Sequence, residues 1–412
     1  MALYELRNRG DTEALRTLLR EADNPAVRNR AAAALGEVTA TDDDAATDAI
    51  DDLVAAATDD DDPDVRAAAV DALDQIGLPA LEELVSKLAD VEPAGDRADW
   101  AVAEAYASLL DAPRPEVRMA AATVLGRVGA GGSAVTNALT DALEDADDRV
   151  RARAARALGR LADPAAAGAL ADALDADSVA VRREAATALG SVGGDRAHGA
   201  LIGALDDEAA GVRRAATDAV GEFGRVESVD ALADQLADQS EAVRRAATFS
   251  IVEVLSNAPT QRSHEVRESV VDELDARGDH AVVVPLADVL RESQQAHHRR
   301  NAAWLLGRIA DDDPPSEAVD ALIDALDTGD GPTGQFAATA LAQMGGEVVV
   351  NRLIEVIDGD AGPETTAMAA FALGKVGGPR ARERLDALVE ETEAESVRRR
   401  AFSALSKLGG RA

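Results

Sequence analysis

Apolar residues in this chain recur with a helical period, and the helical pattern itself recurs. One phrase dominates: an Asp-rich turn, Val-Arg, two or three alanines, Ala-Leu-Gly and an aliphatic residue. It reads DSVAVRREAATALGSVGG at 177–194, DEAAGVRRAATDAVGEFG at 207–224 and DDRVRARAARALGRL at 147–161. With the valine as anchor, the copies start from Val27, Val65, Val117, Val150, Val181, Val212, Val243 and Val397. His298, Thr333 and Thr365 fill the same slot in three divergent copies. Successive anchors are 38, 52, 33, 31, 31, 31, 55, 35, 32 and 32 residues apart, and three identical steps are hard to obtain by chance.

Within each copy, offsets 0, 4, 7, 8 and 11 from the anchor are apolar. At about 100° per residue they form one stripe, which predicts an amphipathic helix. Asn24, Asp147 and Asp177 stand where an N-cap is needed. The Gly after the Leu, with the glycine that follows it, reads as the helix stop. Between these anchor helices lies a second amphipathic segment, as at 168–175, 231–238, 318–327 and 347–358. A single helix pair cannot bury its stripe, whereas stacked pairs can.

The expectation is therefore an all-α fold, an α-solenoid of about eleven helix pairs. At roughly 8–10 Å per layer it would form a right-handed superhelical arc on the order of 100 Å long. The two long intervals hold extra helices at 79–90 and 264–278. No Ser/Gly/Pro-rich linker divides the chain, so 1–412 reads as one continuous domain. SNAPTQRS at 256–263 reads as a hinge or exposed loop, and GDGPTGQ at 329–335 as an inter-helix turn.

Composition narrows the setting. Aromatics are 2% of the 412 residues, so the core is Ala, Leu and Val, which suits thin layers of close-packed helices. Net charge is −35, and of 42 basic residues only Lys87, Lys375 and Lys407 are lysines. High Asp and Ala with scarce Lys resembles proteins of the salt-filled cytoplasm of halophilic archaea. There the Debye length falls to about 3 Å near 1 M salt, and the self-repulsion is tolerable. The acidic balance argues against nucleic acid as a partner. There is no cysteine, hence no disulfide, cluster or thiol chemistry. No signal-like or membrane-spanning apolar run is present, and the expected location is cytoplasmic.

Catalytic chemistry finds no constellation. His280, His297 and His298 lie close in sequence, but adjacent histidines diverge by about 100° on a helix, whereas zinc prefers an i, i+4 pair. Paired carboxylates are everywhere and read as a solvated face. No cofactor or metal is expected.

The D-x-x-V-R-x-x-A-A-x-A-L-G phrase resembles the HEAT-like repeats of the phycobilisome-lyase type over essentially the whole chain. The resemblance implies a structural ladder in which an Asp of the inter-helix turn meets an Arg near the start of the anchor helix. The matching pairs are Asp60/Arg66, Asp145/Arg151, Asp207/Arg213 and Asp238/Arg244. It also implies that the anchor helices line a concave surface. Enzymatic HEAT classes fit poorly. The deoxyhypusine hydroxylase type carries several His-Glu pairs where this chain has only His264-Glu265, reductases of the queuosine type need cysteines, and HEAT-type glycosylases need a basic groove.

On the side opposite the stripe, offset 2 is Arg183, Arg214, Arg245, Arg300 and Arg399, and offset 6 becomes Phe249, Trp304 and Phe371 in three C-terminal copies. Arginine and aromatics are enriched at protein–protein hot spots. The reading is a non-catalytic scaffold or adaptor that binds a protein partner through these eight residues, in a signalling or motility assembly. The competing account has Phe249 and Trp304 packing on the 256–295 insertion. The alternative function is a bilin or tetrapyrrole lyase-like or chaperone role. Partner identity and oligomeric state are not written in the sequence.

Overall fold

The structure is a computed structural model that describes residues 3–40, 43–89, 97–130, 132–258, 263–277, 282–309, 314–327 and 330–409. Among these residues all regular structure is helical. The chain forms two compact units, 1–219 and 220–412.

The first unit begins with α1 (Leu3–Arg9), α2 (Thr12–Glu21), α3 (Pro25–Thr39), α4 (Asp43–Asp59) and α5 (Pro63–Ile76). Next come α6 (Leu78–Ala89), α7 (Asp99–Ser108), α8 (Pro115–Val128), α9 (Gly132–Asp141) and α10 (Asp148–Leu161). It continues with α11 (Ala167–Asp172), α12 (Val179–Val192), α13 (Gly194–Ala204) and α14 (Ala210–Glu222), whose last residues belong to the second unit. That unit adds α15 (Val229–Asp234), α16 (Glu241–Asn257), α17 (Ser263–Arg277), α18 (Val283–Glu292) and α19 (Ala296–Ile309). It ends with α20 (Ser316–Ala325), α21 (Gly331–Met344), α22 (Gly346–Asp358), α23 (Pro363–Val376), α24 (Pro379–Glu391) and α25 (Glu395–Gly409).

Each unit has two helix layers. In the first, the anchor helices α3, α5, α8, α10 and α12 pack side by side, and α2, α4 and α6 follow one another in the outer layer. In the second, α19, α21, α23 and α25 form the anchor layer and α18, α20, α22 and α24 the outer one. The extra helices expected at 79–90 and 264–278 are α6 and α17, and α17 packs against α15, α16 and α19. The hinge expected at 256–263 falls partly outside the described residues, while 256 and 257 still belong to α16. The turn expected at 329–335 is corrected: Gly331–Gln335 is the first turn of α21, with Pro332 inside its N-terminal end, where proline fits without loss.

The Ala-Leu-Gly phrase has a different meaning from the helix stop expected of it. Gly36, Gly126, Gly159, Gly307 and Gly374 lie inside their helices. A methyl built on them would sit 2.8, 2.9, 2.8, 2.6 and 3.0 Å from the Cα of Ala72, Ala157, Ala188, Ala340 and Ala404 respectively. Each of these alanines is seven residues after the next anchor, so the glycine of one copy meets the alanine of the following copy. The missing side chain lets two backbones touch, and this contact sets the spacing of the anchor layer. The helix end is the later glycine: Gly129 closes α8 in the left-handed region, at φ 65°.

The anchor slot is buried in nearly every copy. Where it is polar, an acid lies beside it. Thr365 donates to Asp327 at 2.7 Å, Thr333 to Asp330 at 2.5 Å, and His298 Nε2 lies 2.6 Å from Glu253 Oε2. Burial lowers the His298 pKa below its usual value, against the pull of Glu253, so this ring is neutral at neutral pH.

Candidate functional site

Two sets of side chains carry the functional question: the turn ladder and the exposed face of the anchor helices. In the ladder, the guanidinium of each Val-Arg arginine folds back on the turn that starts its own helix. Arg66 Nη1 donates to Asp60 O at 2.8 Å, Arg151 to Asp145 O at 2.7 Å, Arg213 to Asp207 O at 2.8 Å and Arg244 to Asp238 O at 2.8 Å. The four expected pairs therefore meet through the main-chain carbonyl.

The carboxylates point to the previous copy. Arg28 Nε and Nη2 reach the two oxygens of Asp60 at 2.7 and 2.8 Å. Arg118 holds Asp145 at 2.7 and 2.8 Å, and Arg182 holds Asp207 at 2.7 and 3.1 Å. The same carboxylates accept the N–H two residues on, from Asp62, Asp147 and Ala209 at 2.9, 2.8 and 2.8 Å. Each aspartate thus ties its own helix start to the preceding repeat. Burial pushes the Asp207 carboxyl up, yet the Arg182 and Ala209 hydrogen bonds hold it below the usual carboxylate range. Arg28, Arg118 and Arg182 were not singled out from the sequence. Their signal is the same Val-Arg register read one repeat earlier.

Two first-unit turns that follow an arginine-bearing repeat lack this aspartate. At Ala112, Glu116 replaces it, and Arg66 Nε reaches its carboxylate at 2.6 Å. At Ala176 no acid does so. Arg182 Nη1 still finds the Ala176 carbonyl at 2.8 Å, but Arg151 has no carboxylate partner among the described residues. Asp177, expected as the cap of α12, does not serve. Ser178 occupies the N-cap position and its side chain makes no capping bond. Asn24 and Asp147 do cap, accepting from Ala26 N and Arg149 N at 2.9 Å each.

The first unit contains a feature absent from the sequence reading. Three arginines of α10 reach over α8 to α5: Arg149 to Asp64 at 3.3 Å, Arg153 to Asp71 at 2.6 Å and Arg160 to Asp74 at 3.7 Å. Arg153 also donates to Ala67 O at 3.1 Å, and its side chain is only 7% exposed. Burial lowers its pKa, with Asp71 pulling the other way. Residues 119–126 of α8 are consequently all buried. Partners 80 or more residues apart and two repeats removed leave no local sequence signal.

The offset residues are placed as follows. Arg183, Arg214, Arg245 and Arg399 are exposed, each near an acid: Glu184 at 3.2 Å, Asp218 at 3.5 Å, Glu292 at 3.4 Å and Glu395 at 3.7 Å. Such exposed pairs contribute little to stability and leave the arginines accessible. Arg300 is half-buried. Of the rings, Phe249 is 41% exposed and meets the edge of His298. Trp304 is half-buried beneath Arg267 of the extra helix α17, with the guanidinium 5.4 Å from the ring centroid. Phe371 is half-buried beneath Arg400 at 5.5 Å. Phe402 on α25, outside the offset-6 register, is more exposed than any of them at 66%. The rings form separate cation- or ring-covered patches within the second unit. Among the described residues no three His, Asp or Glu side chains form a metal-binding group, and no helix is long and apolar enough to cross a membrane.

Comparison with known proteins agrees with this architecture. The family model for HEAT repeats matches residues 12–107, 102–187, 169–252, 283–366 and 350–412. A HEAT repeat-containing taxis protein of Halobacterium salinarum is 50% identical over 374 residues, 89% of each chain. Among solved structures, an engineered protein aligns with 97% of this chain and 98% of its own at 22% identity and a TM-score of 0.41. The complex of CpcE and CpcF of phycocyanin lyase from Nostoc aligns with 74% of this chain and 94% of the other at 21% identity and a TM-score of 0.37. Scores at that level carry no argument, and the family match alone bears on the architecture. The repeat register, the turn ladder and the family match over most of the chain together place this protein in the HEAT-repeat family.

Proposed function

We propose that this protein is a non-catalytic scaffold in a taxis assembly of a salt-filled archaeal cytoplasm, holding a protein partner against the exposed face of its anchor helices. The observation that carries this reading is the 50% identity, over 89% of both chains, to a HEAT repeat-containing taxis protein of Halobacterium salinarum. The acidic surface, net −35, suits the same setting. The repeat phrase further suggests the phycobilisome-lyase type of HEAT unit. In the second unit the partner surface comprises Arg245, Phe249, Arg300, Trp304, Phe371 and Arg399, with Arg183 and Arg214 continuing the same register in the first. Accessible arginines beside half-buried rings are the composition of a protein-binding patch. In molar salt, apolar and cation–π contacts keep their strength while long-range attraction is screened.

The test is genetic replacement. The relative's gene is deleted in Halobacterium salinarum, this chain is supplied in its place, and swimming reversals after a light or chemical step are recorded. Restored reversals in cells that swim and grow normally support the proposal. Failure to restore them, with the protein folded and expressed at the relative's level, refutes it.

A further inference from the structure

The ladder contains a carboxylate-shaped gap. In three turns of the first unit one arrangement repeats: an arginine from the previous helix presents Nε and Nη2 to a carboxylate, and the N–H two residues beyond the acid completes its shell. Asp60, Asp145 and Asp207 are the acids. At the fourth turn Glu116 supplies the group from a different position. At the fifth, the residue is Ala176, and the position equivalent to Glu116 is Ala180. Arg151 nevertheless folds as the others do, with Nη1 on the Asp145 carbonyl at 2.7 Å. By register, its remaining donors and the Ser178 N–H correspond to the groups that hold a carboxylate in the other turns. Ser178 adds no capping bond of its own. Arg151, Ser178 and Asp177 line an open cleft of about 470 Å³, whose other walls are Ala146, Asp147, Asp148 and Arg149.

We propose that the Arg151–Ser178 gap is a binding site for a carboxylate supplied from outside the chain. The inference rests on the arginine fork and on its three filled copies in the same protein, not on the helix terminus alone. A guanidinium offers two parallel N–H donors that match the two oxygens of a carboxylate, and charge-assisted pairs of this kind are the strong ones. Chloride, the abundant competitor in salt, is a single sphere and cannot engage both donors and the Ser178 N–H with the same geometry. Arg149 does not compete for the ligand, since Asp147 accepts from its Nε and Nη2 at 2.9 and 2.6 Å. The ligand is a free small carboxylate or the acidic side chain of another protein, and the two share the same recognition. This site is separate from the exposed anchor-helix face and stands or falls independently of the taxis assignment.

The probe is acetate. Melting temperatures are measured in potassium chloride and in potassium acetate at equal molarity for the parent, Ala176→Asp and Arg151→Gln. Acetate stabilises proteins generally through exclusion from their surface, so the quantity read is the acetate increment of each protein. Ala176→Asp restores the acid of the other turns. It is expected to melt about 2–4 °C above the parent in chloride and to lose the extra acetate increment. Arg151→Gln is expected to lose that increment as well. An increment larger in the parent than in both variants supports the site. Equal increments in all three proteins overturn it, whatever the variants do to the melting temperature itself. N-acetylaspartamide in place of acetate then separates the sources. An equal parent-specific effect fits an acidic side chain, and an effect of acetate alone fits a small free carboxylate; both keep the site.

Discussion

Replacing Gly159 with alanine is a sharp test of what holds neighbouring repeats at their spacing. The added methyl would lie 2.8 Å from Ala188 Cα and 2.9 Å from Ala188 Cβ. Carbon atoms rest at about 3.5–4.0 Å. α10 and α12 must therefore move apart by roughly 1 Å, or the alanine must not fit. Overpacking of this kind costs about 1–3 kcal/mol. The substitution also removes a glycine from a helix interior, which by itself stabilises by about 0.5–1 kcal/mol. The clash is the larger effect, and a net loss of about 1–2 kcal/mol follows. Ala188→Gly in the same background relieves only the Cβ half of the contact, because the Cα stays, so rescue should be partial.

The control is Gly203→Ala. Gly203 lies in α13, is exposed, and a methyl built there meets nothing within 4 Å. The same chemical change should therefore stabilise by about 0.5–1 kcal/mol. Because repeat arrays need not unfold in one step, the assay is hydrogen exchange of α10 and α12 alongside denaturant melts. Protection should fall in those two helices for Gly159→Ala and be kept for Gly203→Ala. A Gly159→Ala protein as stable as its parent would refute the account of the glycine as a spacer.

Three further outcomes are expected. Arg182→Ala strips Asp207 and the Ala176 carbonyl of their partner and should cost about 3 kcal/mol, whereas Arg151→Ala, which holds no acid, should cost clearly less; equal melts for the two would contradict the ladder wiring. His298 is held neutral with a lowered pKa, so its contribution is intact above the unfolded value of about 6.5 and declines as pH falls through 6.5 toward the folded value; His298→Val should flatten that part of the pH–stability curve, and an unchanged curve would show that another group titrates there. Helical circular dichroism should fall sharply when salt drops from molar to about 0.1 M, as screening of the −35 charge is lost; an unchanged melting temperature would assign the acidic surface to another cause.

The helices were readable because their cause is local. A stripe at offsets 0, 4, 7, 8 and 11 is the same whichever neighbour buries it, and α6 and α17 appeared within a residue of their expected ends. The polar anchors His298, Thr333 and Thr365 also kept register, since each finds an acid nearby. The meaning of Ala-Leu-Gly was not readable in the same way. A glycine near a helix end looks like a stop in one copy, and only the juxtaposition of two copies shows it as a contact. The same holds for the ladder. Spacing of six residues suggested a pair within one turn, while the carboxylate actually reaches the arginine of the repeat before. The α10–α5 arginines are further removed still, spanning two repeats, and no periodic signal marks them. For Trp304 the competing expectation of cover by the 256–295 insertion matches Arg267 of α17 over the ring, whereas Phe249 meets His298 of the next anchor helix, a contact the register alone does not show.

These differences bear on where a HEAT scaffold can vary. Glycine at offset 9 and a small residue at offset 7 (alanine, or Ser250 opposite Gly221) form one contact between two copies, so a larger residue at the glycine moves a helix. The ladder arginine makes two kinds of bond, to its own turn carbonyl and to the next turn's acid, and only the first is needed to start its own helix. Loss of the acid therefore leaves the arginine in place with its outer donors open, as at Ala176. Replacement of the acid from another position closes the donors again, as at Glu116. A repeat protein can thus open or close an anion site by one substitution at one turn, without disturbing the stripe that folds it. On the opposite face, offsets 2 and 6 are exposed in several copies and vary there, although Met119 and Thr123 are buried and Asp71 pairs with Arg153 in the first unit. Arginines there remain accessible at Arg183, Arg214, Arg245 and Arg399. Specificity on such a scaffold is written in residues that the packing does not use, and in the turns where the packing has left a donor over.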